Sequence, residues 1–111
     1  MKPESKLWQK VKKNTPNITW TRVESWASFG FPVELKVTKS NKVTFSPHQI
    51  AFHVKHPTNT FICVETPDQR CPKLYPGSAV RELAACGLSA CELERLQLES
   101  WSGLERLLLE A

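Results

Sequence analysis

Glu34 and Lys36 flank Leu35 in the short run Val33-Glu34-Leu35-Lys36-Val37, and Ser46-Pro47-His48-Gln49 opens a second segment shortly after it. In an extended chain alternate side chains share a face. Glu34 and Lys36 therefore point one way, and Val33, Leu35 and Val37 the other. The ordinary reading is a half-buried strand with its apolar side inward. There is also a chemical reading. A carboxylate can hold Mg2+, which polarises a phosphodiester and draws hydroxide from bound water. A lysine two residues away puts a cation beside the attacking water or the developing charge. Amides at the start of a following helix add an anion-binding end.

The charge distribution suits a polyanionic partner. The chain of 111 residues has a net charge of +4, divided into +7 over residues 1–56 and −3 over residues 57–111. Lysines that neutralise phosphates release counterions, which favours association with nucleic acid. A solvated charged surface is the competing explanation. Lys10, Lys12, Lys13, Arg22, Lys39 and Lys42 are the candidate phosphate contacts. Trp8, Trp20, Trp26 and Trp101 read as core or interface anchors, with Trp26 the one suspected of touching DNA.

Cys63, Cys71, Cys86 and Cys91 contain no Cys-x-x-Cys pair, so buried free thiols explain them better than a zinc site. His53 and His56 are spaced i, i+3, which reads as structural or DNA-facing. No apolar run approaches the roughly 20 residues that span a bilayer. The start, "MKPESKLWQKVKKN", has no apolar core of a secretory signal, so a reducing cytoplasm and no membrane are expected.

These residues need elements to position them, and the periodicities alternate. "PESKLWQKVKKN" predicts a helix, "ITWTRVES" a strand, "SWASFGFP" a turn or loop, and "VELKVT" a second strand. The polar turn "KSNK" and an extended "VTF" follow. "SPHQIAFHVKH" predicts a helix with Ser46 as N-cap, Pro47 in the first turn, and Ile50, Val54 and Phe52 inward. "TFICVE" reads as a strand buried on both faces and "KLY" as a short strand. "PGSAVRELAACG" is a helix ending at Gly87. In the last segment Leu93, Leu96, Leu104, Leu107 and Leu108 form an apolar stripe with Trp101, interrupted at Ser102-Gly103. A single mixed α/β domain over 1–111 results, with a core over 1–87 and a C-terminal helical extension over 88–111.

"WTRVES", "FGFP", "VELK" and "FSPHQ", in that order, resemble the PD-(D/E)XK nucleases, the restriction-endonuclease-like superfamily. The likeness covers roughly residues 4 to 86 and is strongest to small phage and VRR-NUC-like members and to Holliday-junction resolvases. It implies a mixed β-sheet flanked by helices, Mg2+-dependent hydrolysis of DNA with Mn2+ as an alternative metal, and a homodimer. By the same resemblance Glu34 matches the acid of the (D/E)XK half, Lys36 its lysine, and Gln49 the glutamine on the following helix, which joins the expected DNA contacts. The additional N-terminal acid falls on Glu24, with Glu4 as the alternative; Glu34 and Glu24 are then the metal ligands.

The pattern also departs from the family. Phe29-Gly30-Phe31-Pro32 runs straight into Val33-Glu34, without the Asp that normally follows the proline and without about 15 residues of hairpin. The sheet is therefore expected to be shortened by one strand or hairpin, as though by an internal deletion after Pro32. The missing Asp would have been a principal metal ligand, and Asp68 is a weaker substitute than Glu24. Two functions follow. One is a metal-dependent DNA endonuclease, phage-encoded and of recombination, junction-resolving or homing type. The other is a nuclease-fold protein that binds DNA without cutting it. A weaker third is a small interaction protein that uses its acidic, leucine-rich tail.

Overall fold

The computed structural model describes residues 3–18, 20–23, 26–28, 32–67, 71–91, 95–96 and 100–110. Helix α1 (Pro3–Asn14) leads into strands β1 (Thr21–Val23), β2 (Trp26–Ser28) and β3 (Pro32–Val37). Then come α2 (Pro47–Lys55), β4 (Phe61–Glu65), β5 (Lys73–Pro76), α3 (Val80–Cys86) and α4 (Trp101–Glu110). The strands form one mixed sheet in the order β1-β2-β3-β4-β5. β3 and β4 are parallel, joined by the α2 crossover, and the other neighbours are antiparallel. The expected mixed α/β sheet flanked by helices is thus present.

Strand alternation divides the interior into two cores. Val33 and Leu35 of β3 and Phe61 and Cys63 of β4 face α1 and α4, where they pack with Leu7, Val11, Leu104 and Leu108. Ile62 and Val64 turn to the other face and meet Tyr75, Val80, Leu83, Leu88 and Val43. β4 is therefore apolar at successive positions because it is covered on both sides. Each fully buried aliphatic side chain contributes about 1.5–3 kcal/mol.

Several expectations are corrected. Trp26–Ser28, read as part of a loop, is a strand paired with both β1 and β3, which satisfies its backbone on both edges. Val43–Phe45 lies outside the strands; Val43 is held by burial in the second core rather than by a ladder. On α2 the buried side chain is His53, whereas Phe52 and Val54 are 37% and 40% exposed. The Ser46 cap sets the phase of that helix, and the polar His53 faces in because a carboxylate waits beneath it. Ser102-Gly103 does not interrupt α4. Ser100 caps it, accepting from the Gly103 amide at 3.2 Å, so the break falls before Trp101.

The C-terminal segment is woven into the body. Leu96 bridges to Leu74, and the Glu105 carboxylate accepts from the Asn17 amide at 3.0 Å and its side-chain nitrogen at 2.9 Å. Trp20 donates to Thr15 and meets Trp8 edge-on at 6.1 Å, as core anchors do. Among the described residues no helix is long and apolar enough to cross a membrane.

Candidate functional site

β3 delivers Glu34 to the α2 side of the sheet, opposite Ile62, and the side chain is 0% exposed. An ionised carboxylate in such a place must be matched, because desolvation costs several kcal/mol per ion. Two partners match it. His53 Nε2 of α2 lies 2.8 Å from Oε1, and Lys36 Nζ lies 3.2 Å from Oε2. The Lys36 contact is an ion pair without hydrogen-bond alignment, so Oε2 accepts no hydrogen bond. Lys36 instead donates to Gln49 Oε1 at 3.0 Å, and its ammonium sits 5.0 Å from the centre of the Phe45 ring.

Gln49 joins this site to the start of the helix. Its Oε1 also accepts from the Ser46 amide at 2.8 Å, while Ser46 Oγ accepts from the Gln49 amide at 3.2 Å. This is a reciprocal capping box. One oxygen therefore both caps α2 and neutralises part of the lysine's hydrogen-bonding demand.

The far side of His53 meets Thr60. Thr60 Oγ1 donates to the His56 carbonyl at 2.7 Å, and His53 Nδ1 lies 2.9 Å from the same oxygen. His53 thus bridges two side chains, one ring nitrogen on the Glu34 carboxylate and the other on the Thr60 hydroxyl, with the tautomer setting which nitrogen donates. Gly77 closes the end of the chain: a Cβ there would stand 2.0 Å from Thr60 Oγ1 and 3.1 Å from His53 Nδ1. Its amide donates to the Thr60 carbonyl at 2.8 Å. Only glycine leaves room for this approach.

The structure brings Glu34, Lys36 and Gln49 together, so Gln49 is the one candidate DNA contact among the described residues that joins this cluster. Lys10, Lys12, Lys13, Lys39 and Lys42 do not. Lys10 pairs with Glu65 at 2.7 Å, and Lys12 lies 5.2 Å over the Trp8 ring. Lys13, Lys39 and Lys42 are exposed. Lys10 and Lys39 share a groove at the carboxyl ends of β3 and β4, with Thr38 and Thr66. Glu24 and Asp68 lie outside the described residues, as do the side chains of Glu4, Arg22 and Trp26.

Sequence reasoning missed His53, Thr60 and Gly77 as site residues. His53 carried one usable signal: it follows Ile50 by three positions, on the inward phase of the helix. Cys63, Cys71 and Cys91 are buried, whereas Cys86 is exposed. Burial, with smaller effects from Glu65 and Cys71, pushes the Cys63 thiol well above its ordinary range, so it is no thiolate nucleophile or ligand at neutral pH.

The donor set can be tested against Mg2+. Among the described residues no three His, Cys, Asp or Glu side chains come together as a metal group. Among the described residues, the carboxylate at the site is that of Glu34, buried between two nitrogen donors. Mg2+ needs octahedral oxygen ligation and retains several waters. The described arrangement offers no such face and does not fit the ion. No family model, no curated protein and no solved structure matches this chain.

Proposed function

We propose that this chain is a DNA-binding protein on a nuclease-type α/β core, in which Glu34 and Lys36 form a closed ion network in place of an open metal centre. The observation that carries the reading is Glu34 itself, fully buried with Oε1 on His53 and Oε2 on Lys36. Support for DNA as partner comes from the positive first half and from exposed Lys6, Lys12, Lys13, Lys39, Lys42 and Lys55. Such side chains hold phosphates without reading bases, so affinity should fall steeply with salt, by roughly 0.9 logarithmic units per tenfold salt for each phosphate contact.

The competing reading, a Mg2+-dependent endonuclease, is favoured by one feature. Glu34, Lys36 and Gln49 converge, and Glu34 Oε2 keeps a lone pair that accepts no hydrogen bond. In that reading Glu34 would have to leave His53 and gain a second acid such as Glu24.

Supercoiled plasmid and a four-way junction, each with Mg2+, Mn2+ or EDTA, separate the two. Wild type, Glu34→Ala and Lys36→Ala would be run side by side, with binding measured across a salt series. The proposal expects salt-sensitive binding and no metal-dependent cutting. Cutting that requires metal and disappears in both variants would establish the endonuclease. Loss of binding at every salt concentration would remove DNA as the partner.

A further inference from the structure

Strand alternation gives the carboxyl ends of β3 and β4 two sides, and exposed charge gathers on the side away from Glu34. Leu35 and Cys63 face α1, so Val37 and Glu65, each two residues further on, end on that side as well. There a groove of about 240 Å3 runs between α1 and the strand ends, with Lys10, Thr38, Lys39, Glu65 and Thr66 beside Val37. Glu34 and Lys36 lie on the opposite face, under α2.

On α1, Lys10 follows Lys6 by four residues and precedes Lys13 by three, so the three share one helical face that extends about 10 Å along the axis. Lys39 stands on the other bank, on an exposed turn. The groove's hydroxyls already serve the fold. Thr38 Oγ1 donates to the Lys42 carbonyl at 2.8 Å, and Thr66 Oγ1 accepts from Lys73 Nζ at 3.0 Å. Lys73 is only 8% exposed, in the wall of an adjoining cavity of about 330 Å3, and is a structural cation of that wall. What the groove presents to solvent is therefore charge on flexible stems. Lys6, Lys13 and Lys39 are exposed, and among the described residues none of these three is paired with a carboxylate.

Lys10 differs from them. Its ammonium holds the Glu65 carboxylate at 2.7 Å, and among the described residues Glu65 is the one acid that lines the groove. A carboxylate on a lysine takes the place that a phosphate oxygen would take. The pair is open to solvent, so its bond is weak and exchangeable.

We infer that this groove is the track for a nucleic-acid backbone, with Lys6 and Lys13 on one bank, Lys39 on the other, and Glu65 restraining Lys10 as an internal competitor of phosphate. The inference rests on the DNA reading above and adds where the strand lies: on the α1 side of the sheet, away from the Glu34–Lys36 cluster. Lysines act on phosphates as point charges, which suits a contact that fixes position without reading bases.

The test is fluorescence anisotropy of a short labelled duplex with the full chain, across a salt series. Lys13→Ala and Lys39→Ala should each weaken binding severalfold and lower the salt slope by about 0.9 logarithmic units per tenfold salt. Lys55→Ala, on α2 across the sheet, should leave both unchanged. Glu65→Gln should act in reverse, tightening binding severalfold and steepening the slope by about 0.9 as Lys10 is released. Thermal unfolding of each variant checks that the fold is kept, as expected for exposed positions. Wild-type binding that Lys13→Ala and Lys39→Ala leave unchanged, or that Lys55→Ala weakens equally, overturns the groove while the DNA reading stands. A Glu65→Gln variant that binds no more tightly than wild type overturns the restraint on Lys10. Absence of binding at every salt concentration removes both the groove and the DNA reading.

Discussion

Lys36 on β3 and Lys73 on β5 stand in one row of the sheet, on either side of Val64. Two strand spacings, about 10 Å, separate their backbones. Both side chains start on the same face, and both are mostly buried. Yet Lys36 ends in a sealed cluster of Glu34, Gln49 and the Phe45 ring, whereas Lys73 ends on Thr66 at the wall of a cavity. The first cation is part of how α2 docks on the sheet. The second helps to build the wall of a cavity. Burial of a lysine therefore does not by itself mark a site; what its ammonium faces decides.

The difference can be broken at its strongest point first. His53→Ala strips Glu34 Oε1 of its ring-nitrogen partner and leaves that oxygen buried without it, which should cost about 3–5 kcal/mol in urea unfolding. Pairing it with Glu34→Leu should recover much of that loss, since apolar replacement of a buried ion pair is often neutral or stabilising. If the double variant is no more stable than the single, the pair is not the source of the cost.

Comparing Lys36→Met with Lys73→Met tests the contrast directly. Lys36→Met should cost about 2–3 kcal/mol, because it abandons a buried carboxylate and a glutamine oxygen together. Lys73→Met should cost about 1 kcal/mol through the hydrogen bond to Thr66, while its stem remains packed. Equal losses would erase the distinction. Gly77→Ala should cost about 1–3 kcal/mol by forcing Thr60 away from His53, and a crystal structure or the histidine ring 15N shifts would reveal the displaced hydroxyl. The smallest effect belongs to Lys39→Ala, within about 0.5 kcal/mol by thermal unfolding, as for most exposed positions.

Much of this architecture could be read before the structure, and the reasons are local. Ser46-Pro47 announced α2 because capping chemistry is written in neighbouring residues. "FICVE" announced a strand covered on both sides because continuous apolarity has few other uses there. The alternation around Glu34 correctly placed it on the face opposite Leu35, but alternation suggests that a charged residue faces water, and Glu34 does not. Its burial depends on His53, far along the chain, and on a glycine at position 77 that no short window connects to either. The Lys73 cavity was illegible for the same reason: its walls come from four stretches, 39–41, 66–67, 73 and 88–89, that meet only once the sheet has formed. Trp26–Ser28 escaped notice because three residues hold too little periodicity to reveal a strand.

The core behind β3 holds Leu7 and Val11 from α1 and Leu104 and Leu108 from α4. On a ribosome this core cannot close until residue 108 is free of the exit path. Until then the apolar faces of α1 and β3 lack the cover that Leu104 and Leu108 supply. A chain cut short before α4 would keep the strands that carry Glu34 and Lys36 but expose that uncovered face. It should meet chaperones and aggregation before it meets any partner.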